Sequence, residues 1–278
     1  MASEFQPIGV FDSGYGGLTI LKEFLNDLPG YDFIYLGDNA RAPYGSRSFE
    51  VVYEYTLQAV KKLFEMGCPL VILACNTASA KALRNIQQND LSLLDPDRRV
   101  LGVIRPAVES IGDYTHNGHV GILGTMGTVL SNSYSIELEK WAGGSVVQTT
   151  QEACPIWVPL VENNEIDTPG TEYFVSKNIR NLLTTDPDID AIILGCTHYP
   201  LLLPVIKKFV PKGIRLLEQG KVVSAKLVEY LDRHPEMDQR CTKSGLVKYY
   251  TTENVEVFEK NATIFIGKSI QSEKITLK

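Results

Sequence analysis

The chain has 278 residues, of which 44% are hydrophobic and 22% charged, a globular composition with room for two domains. Its 33 acidic and 27 basic residues give a net charge of −6, which argues against a nucleic-acid partner because such partners require basic surfaces. No apolar run approaches the ~20 residues of a membrane span, and the first residues lack a basic and apolar leader pattern. We therefore expect a cytoplasmic protein with no membrane partner.

The predicted elements alternate along the chain between short apolar strands and amphipathic helices. Strands are predicted over 8–11, 31–36, 70–73, 100–103, 120–123, 145–149 and 191–194. Helices are predicted over 18–28, 49–66, 79–88, 107–111, 129–141 and 171–183. This alternation indicates βαβ units around mostly parallel sheets, whose strands are apolar throughout because both faces are buried. Residues 246–270 carry further strand and helix signals and are expected to return to the first half.

A faint internal repeat relates the two halves of the chain. Residues 8–14 resemble 120–126, and residues 71–75 resemble 192–196, so the two pairs keep their order. Chance similarity of short apolar strands is the alternative to duplication. We predict an α/β fold of two similar, pseudo-twofold related domains with mostly parallel sheets flanked by helices and the active site in the cleft between them. The first domain is predicted to comprise 1–104 plus 218–278, and the second 105–217.

The five cysteines have scattered spacing and no Cys-x-x-Cys, so neither a disulfide framework nor a metal site is predicted. Cys68 and Cys241 are interpreted as structural or solvated, and Cys154 is undecided. His116 and His119 lie in a polar turn and are expected to be solvated rather than to bind metal.

Cys75 and Cys196 share one local setting. Each follows an apolar strand and precedes small or hydroxyl residues, in Ala-Cys-Asn-Thr-Ala-Ser-Ala and Gly-Cys-Thr-His-Tyr-Pro. Ligands of open α/β sheets bind at the carboxyl ends of strands. Two thiols facing one ligand would suit inversion at a carbon acid, because one thiolate removes the α-proton and the opposite thiol returns one. Either cysteine alone would be read as a small buried hydrophobe, but the shared context favours the pair.

Two further groups are candidates for assisting the thiols. Asp12 opens the glycine-rich turn 12–17, which matches neither a dinucleotide fingerprint nor a P-loop. Its carboxylate would relay protons at Cys75, hold a substrate ammonium or simply cap a helix. His198, two residues after Cys196, is either its partner or a solvated side chain.

Six stretches, taken in order, resemble the glutamate racemases of the cofactor-independent aspartate/glutamate racemase superfamily. They span 11–17, 37–45, 74–80, 123–129, 154–162 and 194–200. The resemblance implies interconversion of L- and D-glutamate without pyridoxal phosphate or another cofactor. It also implies a homodimer, a bacterial host and delivery of D-glutamate to peptidoglycan.

The resemblance also implies roles for individual residues. Cys75 and Cys196 would be the catalytic bases, with Asp12 assisting the first, His198 the second, and Glu162 a further acid. The implied substrate contacts are Asp12, Ser13, Tyr44, Gly45, Asn76, Thr77, Thr125, Thr128, Thr197 and His198. The chain departs from the family pattern at Ile104-Arg105-Pro106 and at Leu217-Glu218-Gln219-Gly220.

Three other functions stay open at this point. A superfamily relative acting on aspartate or another amino acid would differ in the loops facing the substrate side chain. A cysteine hydrolase would use Cys196 with His198 alone. A non-catalytic binder of acidic ligands would not need either thiol.

Overall fold

The computed structural model describes residues 5–141, 144–146 and 148–278. Two predictions fall partly on residues outside these ranges. The leader-pattern prediction rests largely on residues 1–4, and the predicted strand 145–149 includes residue 147. The strand found in that part of the chain begins at Gln148 and runs to Ala153, later than predicted.

Ten strands of the described residues form two sheets, and every pairing is parallel. The strands are β1 (Ile8–Asp12), β2 (Phe33–Gly37), β3 (Leu70–Leu73), β4 (Arg99–Gly102), β5 (His119–Gly124), β6 (Gln148–Ala153), β7 (Ala191–Gly195), β8 (Arg215–Leu217), β9 (Val247–Thr251) and β10 (Ser272–Lys274). The first sheet has the order β10-β9-β2-β1-β3-β4, and the second the order β6-β5-β7-β8. The C-terminal strands therefore join the first sheet, as the sequence predicted.

The two sheets share one connectivity. The order β2-β1-β3-β4 in the first sheet corresponds to β6-β5-β7-β8 in the second, so β1 matches β5 and β3 matches β7. These are the same pairs of segments that the internal repeat relates. Cys75 follows β3 and Cys196 follows β7, and both thiols therefore leave equivalent strands. The predicted α/β fold of parallel sheets flanked by helices is confirmed.

Helices flank both sheets. They are α1 (Leu18–Asp27), α2 (Phe49–Glu65), α3 (Asn76–Lys81), α4 (Leu83–Asn85), α5 (Leu91–Leu94), α6 (Ile104–Glu109), α7 (Met126–Leu130), α8 (Ser133–Trp141), α9 (Trp157–Glu162), α10 (Pro169–Thr185), α11 (Leu203–Phe209), α12 (Gln219–Arg233), α13 (Pro235–Asp238) and α14 (Val255–Ile266). Short 3-10 turns occur at Asn39–Arg41, Ile111–Asp113 and Tyr199–Leu202, and a π turn at Ile86–Asp90.

Three predicted helices are wrong in extent. The prediction over 107–111 starts three residues late and ends two residues late, because α6 runs from Ile104 to Glu109. The prediction over 79–88 misses the start of α3, because Cys75 caps that helix and Asn76 is already helical. The prediction over 129–141 covers two helices, α7 and α8. Asn132 separates them with a left-handed backbone (φ 54°), a conformation that asparagine tolerates better than most residues.

Burial explains why the strands could be recognised. Every residue of β1, β2, β3 and β7 is buried, as expected for parallel strands covered by helices on both faces. None of the helices within the described ranges has the length and apolar character that crossing a membrane requires.

Candidate active site

A small cavity lies where the carboxyl ends of β1 and β3 meet those of β5 and β7. Its volume is about 80 Å³, which suits a small molecule. The structure brings eleven of the sequence-predicted residues to its wall. They are Ser13, Tyr44, Gly45, Cys75, Asn76, Thr77, Thr125, Glu162, Cys196, Thr197 and His198.

Cys75 is the N-cap residue of α3. Its Sγ accepts a hydrogen bond from the amide of Ala78 (3.5 Å) and lies 3.4 Å from the hydroxyl of Ser13. Burial is the main reason that the pKa of this thiol rises to about 12, and the negative charge of nearby Asp12 adds to it. The thiol is therefore protonated at neutral pH and can donate a proton.

Cys196 has a different electrostatic environment. Its Sγ lies 3.9 Å from Nδ1 of His198, whose Nε2 lies 2.9 Å from Oε1 of Glu162. Burial alone would lower the pKa of His198, but the hydrogen bonds with Cys196 and Glu162 outweigh burial and raise it to about 10. An imidazolium next to Cys196 is the counter-charge that a thiolate needs. Cys196, His198 and Glu162 therefore lie in one chain of polar contacts, an arrangement of Glu162 with His198 that the sequence did not indicate.

Asp12 lies behind the cavity wall and does not line it. It is 1% exposed, and its carboxylate accepts hydrogen bonds from the amide of Gly14 (2.8 Å) and the hydroxyl of Thr197 (3.4 Å). Burial is the main reason that its pKa is raised, with the positive charge of His198 opposing the shift. The side chain is therefore placed between the Cys75 side and the His198 side of the cavity.

Three threonines form a hydroxyl cluster that joins the two sheets. Thr77 Oγ1 lies 2.9 Å from Thr125 Oγ1, which lies 3.1 Å from Thr128 Oγ1. Thr125 caps α7 by accepting from the amide of Thr128. Thr128 is fully buried behind the other two and does not line the cavity.

The hydroxyl of Tyr44 donates to Asp38, a buried acid that also accepts from Arg41 Nε at 2.7 Å. These bonds fix Tyr44 in the cavity wall. They also pair the Arg41 guanidinium with Asp38, and Arg41 does not line the cavity. Among the described residues, no arginine or lysine lines the cavity. Positive potential for an anionic ligand must therefore come from His198 and from backbone amides.

The Asn76 side chain is held by two hydrogen bonds. Its Oδ1 accepts from the hydroxyl of Tyr134 (2.7 Å) and its Nδ2 donates to Oε1 of Gln219 (2.6 Å). Because an amide nitrogen carries two N–H groups, the second N–H of Nδ2 and the main chain can both serve a ligand at the cavity wall. Sequence analysis did not identify Tyr134 or Gln219 as site residues, although it noted that Gln219 falls in a departure from the family pattern.

Further cavity residues were not predicted as site residues, although Pro43 and four residues of the stretch 154–162 stand in the motifs that carry the family resemblance. They are Ala42, Pro43, Ser46, Met126, Cys154, Pro155, Val158 and Pro159. Of these, Cys154 is fully buried, and burial raises its thiol pKa well above the usual range, so it contributes an apolar wall.

Two interpretations made from the sequence are decided by the structure. Of the two alternatives for Cys68 and Cys241, burial (0% and 4% exposed) supports the structural one and excludes the solvated one. The expectation of a solvated His119 is wrong, because its Nδ1 lies 3.0 Å from both carboxylate oxygens of Asp186. This pair lies outside the cavity, at the opposite end of β5.

The sequence model of the Asp/Glu/hydantoin racemase family matches residues 20–227. A glutamate racemase of Persephonella marina is 38% identical over 270 residues, covering 97% of each chain. The crystal structure of a glutamate racemase isoform from Bacillus anthracis has a TM-score of 0.88 and 32% identity, covering 99% of this chain and 98% of that one. The structure of a Francisella tularensis glutamate racemase in complex with D-glutamate has a TM-score of 0.84 and 29% identity, covering 98% of both. The chain belongs to the Asp/Glu/hydantoin racemase family.

Proposed function

We propose that this enzyme interconverts L- and D-glutamate by proton transfer between two thiols and the α-carbon, without a cofactor. The observation that carries the proposal is the placement of Cys75 and Cys196 at equivalent strand ends of the two sheets, on the wall of one cavity. The family relationship and the relatives named glutamate racemase support the choice of substrate. We further propose a cytoplasmic, homodimeric enzyme that supplies D-glutamate for bacterial peptidoglycan.

The two halves of the site differ in charge, which suits the two roles in one turnover. Cys196 beside the His198 imidazolium acts as the thiolate base, and Cys75 acts as the protonated acid. In one direction the α C–H bond breaks as an S–H bond forms at Cys196, and the carbanion takes the proton of Cys75 on its other face. The reverse turnover starts from the opposite state, with the proton on Cys196 and the thiolate at Cys75. Asp12 and Glu162 act through these groups rather than on the substrate.

The polar part of the cavity wall suits the two carboxylates of glutamate. Hydroxyls of Ser13, Thr77, Thr125 and Thr197 and the backbone around Gly45 supply donors for the carboxylates. Thr128 supports Thr77 and Thr125 from behind. Because arginine and lysine do not line the described cavity, the His198 imidazolium and the neutral hydroxyl and amide donors must stabilise the carbanion's developing charge.

A single incubation tests the proposal. Purified protein without added cofactor receives L-glutamate in deuterium oxide, and chiral chromatography with mass spectrometry follows the products. We expect D-glutamate carrying one deuterium at the α-carbon. Cys75→Ser and Cys196→Ser should each lower the racemisation rate by at least about 100-fold, the scale of a lost general acid or base. The matched control Cys241→Ser changes another buried thiol, away from the cavity, and should retain activity.

The other outcomes identify the alternatives. Exchange with aspartate but not glutamate would indicate a superfamily relative of different specificity. Covalent trapping of Cys196 with a dispensable Cys75 would indicate a hydrolase. Glutamate binding that survives both cysteine substitutions, with no exchange, would indicate a binder.

A further inference from the structure

Three buried side chains from different parts of the chain form a closed hydrogen-bonded triangle behind the cavity. Tyr134 donates to Asn76 Oδ1 (2.7 Å), Asn76 Nδ2 donates to Gln219 Oε1 (2.6 Å), and Gln219 Nε2 donates to the Tyr134 hydroxyl (2.7 Å). Gln219 Nε2 also donates to the carbonyl of Val103 (3.2 Å). We call this set, Asn76, Tyr134 and Gln219, the triad network.

The triad network ties both sheets together. Asn76 begins the helix after β3, and Val103 follows β4, so these two belong to the first sheet's connections. Tyr134 lies in α8 after β5, in the second sheet's connections, and Gln219 begins α12, which leads from β8 of the second sheet to β9 of the first. The three side chains are each at most 2% exposed, and all their nitrogen and oxygen atoms have partners. Fully satisfied buried networks fix one arrangement of the elements they join, because any other leaves polar groups unpaired.

Tyr134 also touches the segment of each proposed base. Its hydroxyl bonds to Asn76, the residue directly after Cys75. Its ring packs on Gly195, the residue directly before Cys196, where an added Cβ would lie 3.1 Å from Tyr134 Cε2. One rigid aromatic side chain therefore spans the two strand ends that carry the thiols.

We propose that Tyr134 and Gln219 are positioning residues that set the spacing between the Cys75 and Cys196 thiols. This inference rests on the proposed two-thiol function. When the spacing is wrong, one thiol still removes the α-proton, but the opposite thiol does not deliver one. The abstracting thiol then exchanges its proton with solvent and returns a deuteron to the same face.

Tyr134→Phe and Gln219→Met test the proposal, because both keep side-chain volume and remove hydrogen bonds. We expect kcat for racemisation to fall about 10-fold or more, as for a small misplacement of reacting groups, with KM within about twofold. Deuterium incorporation into recovered L-glutamate with retained configuration should rise relative to racemisation. The double variant should lose little more than the worse single variant, because the two residues act as a unit. Tyr53→Phe, which removes a tyrosine hydroxyl bonded to Asp90 away from the cavity, is the control.

A parallel fall of exchange and racemisation in the variants would overturn the proposal, since general destabilisation lowers both. A second readout needs no substrate: alkylation by iodoacetamide, followed by peptide mass spectrometry. The variants should alkylate Cys75 or Cys196 several-fold faster than the wild type, with buried Cys68 as internal reference. Unchanged alkylation would overturn the positioning role. If the wild type does not racemise glutamate, the proposed function is wrong. The alkylation experiment would still test whether the triad network positions the two cysteines.

Discussion

His198 is the side chain on which the charge balance of the cavity depends. Burial lowers its pKa, but Cys196 and Glu162 raise it to about 10. A histidine whose folded pKa lies above its ordinary value of about 6.5 stabilises the fold through its protonated form. That contribution is complete below about pH 6.5 and disappears as the pH rises through about 10.

Glu162→Gln is therefore expected to act in a pH-dependent way. The variant removes the carboxylate 2.9 Å from His198 Nε2 and lowers the histidine pKa. The loss of unfolding free energy relative to wild type should be largest near pH 6.5 and shrink towards pH 10, in urea titrations across that range. The alkaline limb of kcat/KM should move to lower pH.

An exposed pair of the same type provides the control for Glu162→Gln. His234 Nδ1 lies 3.0 Å from Glu236 Oε1, with side chains 43% and 71% exposed. Glu236→Gln should change stability little at any pH, because solvent screens exposed pairs. Equal pH profiles for both variants would contradict the role given to the buried pair.

At the scale of elements, the turn between β1 and α1 is shaped by the site. At Gly16 an added Cβ would lie 2.1 Å from Thr197 Oγ1 and 2.5 Å from His198 Nδ1. The sequence marked this turn as glycine-rich, but it did not show that the partner lies about 180 residues away. Only glycine lets the first sheet's loop approach the segment that carries His198.

Gly16→Ala should accordingly displace Thr197 and His198. We expect a loss of about 1–3 kcal/mol of unfolding free energy, the usual scale of overpacking, and a fall of about 10-fold or more in kcat, because misplaced catalytic groups lose orientation. Denaturant titration and racemisation rates measure both effects. Gly30→Ala is the control, because no atom lies within 4 Å of its added Cβ. Similar losses in both variants would mean that glycine flexibility, not the close approach, matters.

The sequence predicted the elements that depend on interactions between neighbouring residues better than those that depend on residues far apart in the chain. Continuous apolar runs located β1, β3, β5 and β7, because burial on both faces leaves a local pattern. The starts of α3 and α7 were missed for different reasons: cysteine is an unusual N-cap residue, so Cys75 gave no signal, whereas Thr125 is a residue type that commonly caps helices and could have been recognised. The bond from Asn76 to Gln219 crosses 143 positions of the chain, and no periodicity encodes it.

At the scale of the whole molecule, the candidate site lies where two sheets that share one strand order meet. The four-strand order shared by the sheets places Cys75 and Cys196 at matching strand ends. Sequence repeats predicted this pairing of segments, but not the contacts that bring the two sheets' loops together. The domain limits 1–104 plus 218–278 and 105–217 stay a prediction. The strands of the first sheet all lie within the first predicted domain, and those of the second sheet all lie within the second.

Gly127 makes one of these contacts between the loops of the two sheets. Its amide donates to the carbonyl of Gly45 (2.7 Å), and an added Cβ would lie 2.9 Å from that oxygen and 3.1 Å from Lys81 Nζ. The loop containing Gly45 and the start of α7 both line the cavity and touch each other through this hydrogen bond. A side chain at position 127 would therefore hold these two parts of the cavity wall apart.

Gly127→Ala should weaken substrate binding more than it slows chemistry, because the two thiols lie on strand ends that the change does not touch. Overpacking costs about 1–3 kcal/mol, and about 1.4 kcal/mol corresponds to a tenfold change in affinity. We expect KM for glutamate to rise about 10-fold, with kcat within about threefold, in steady-state assays of both directions. Gly170→Ala near the start of α10, where the nearest atom lies 3.7 Å from the added Cβ, should leave both constants unchanged. A kcat that falls while KM stays constant would show that these walls align the thiols rather than close over the substrate.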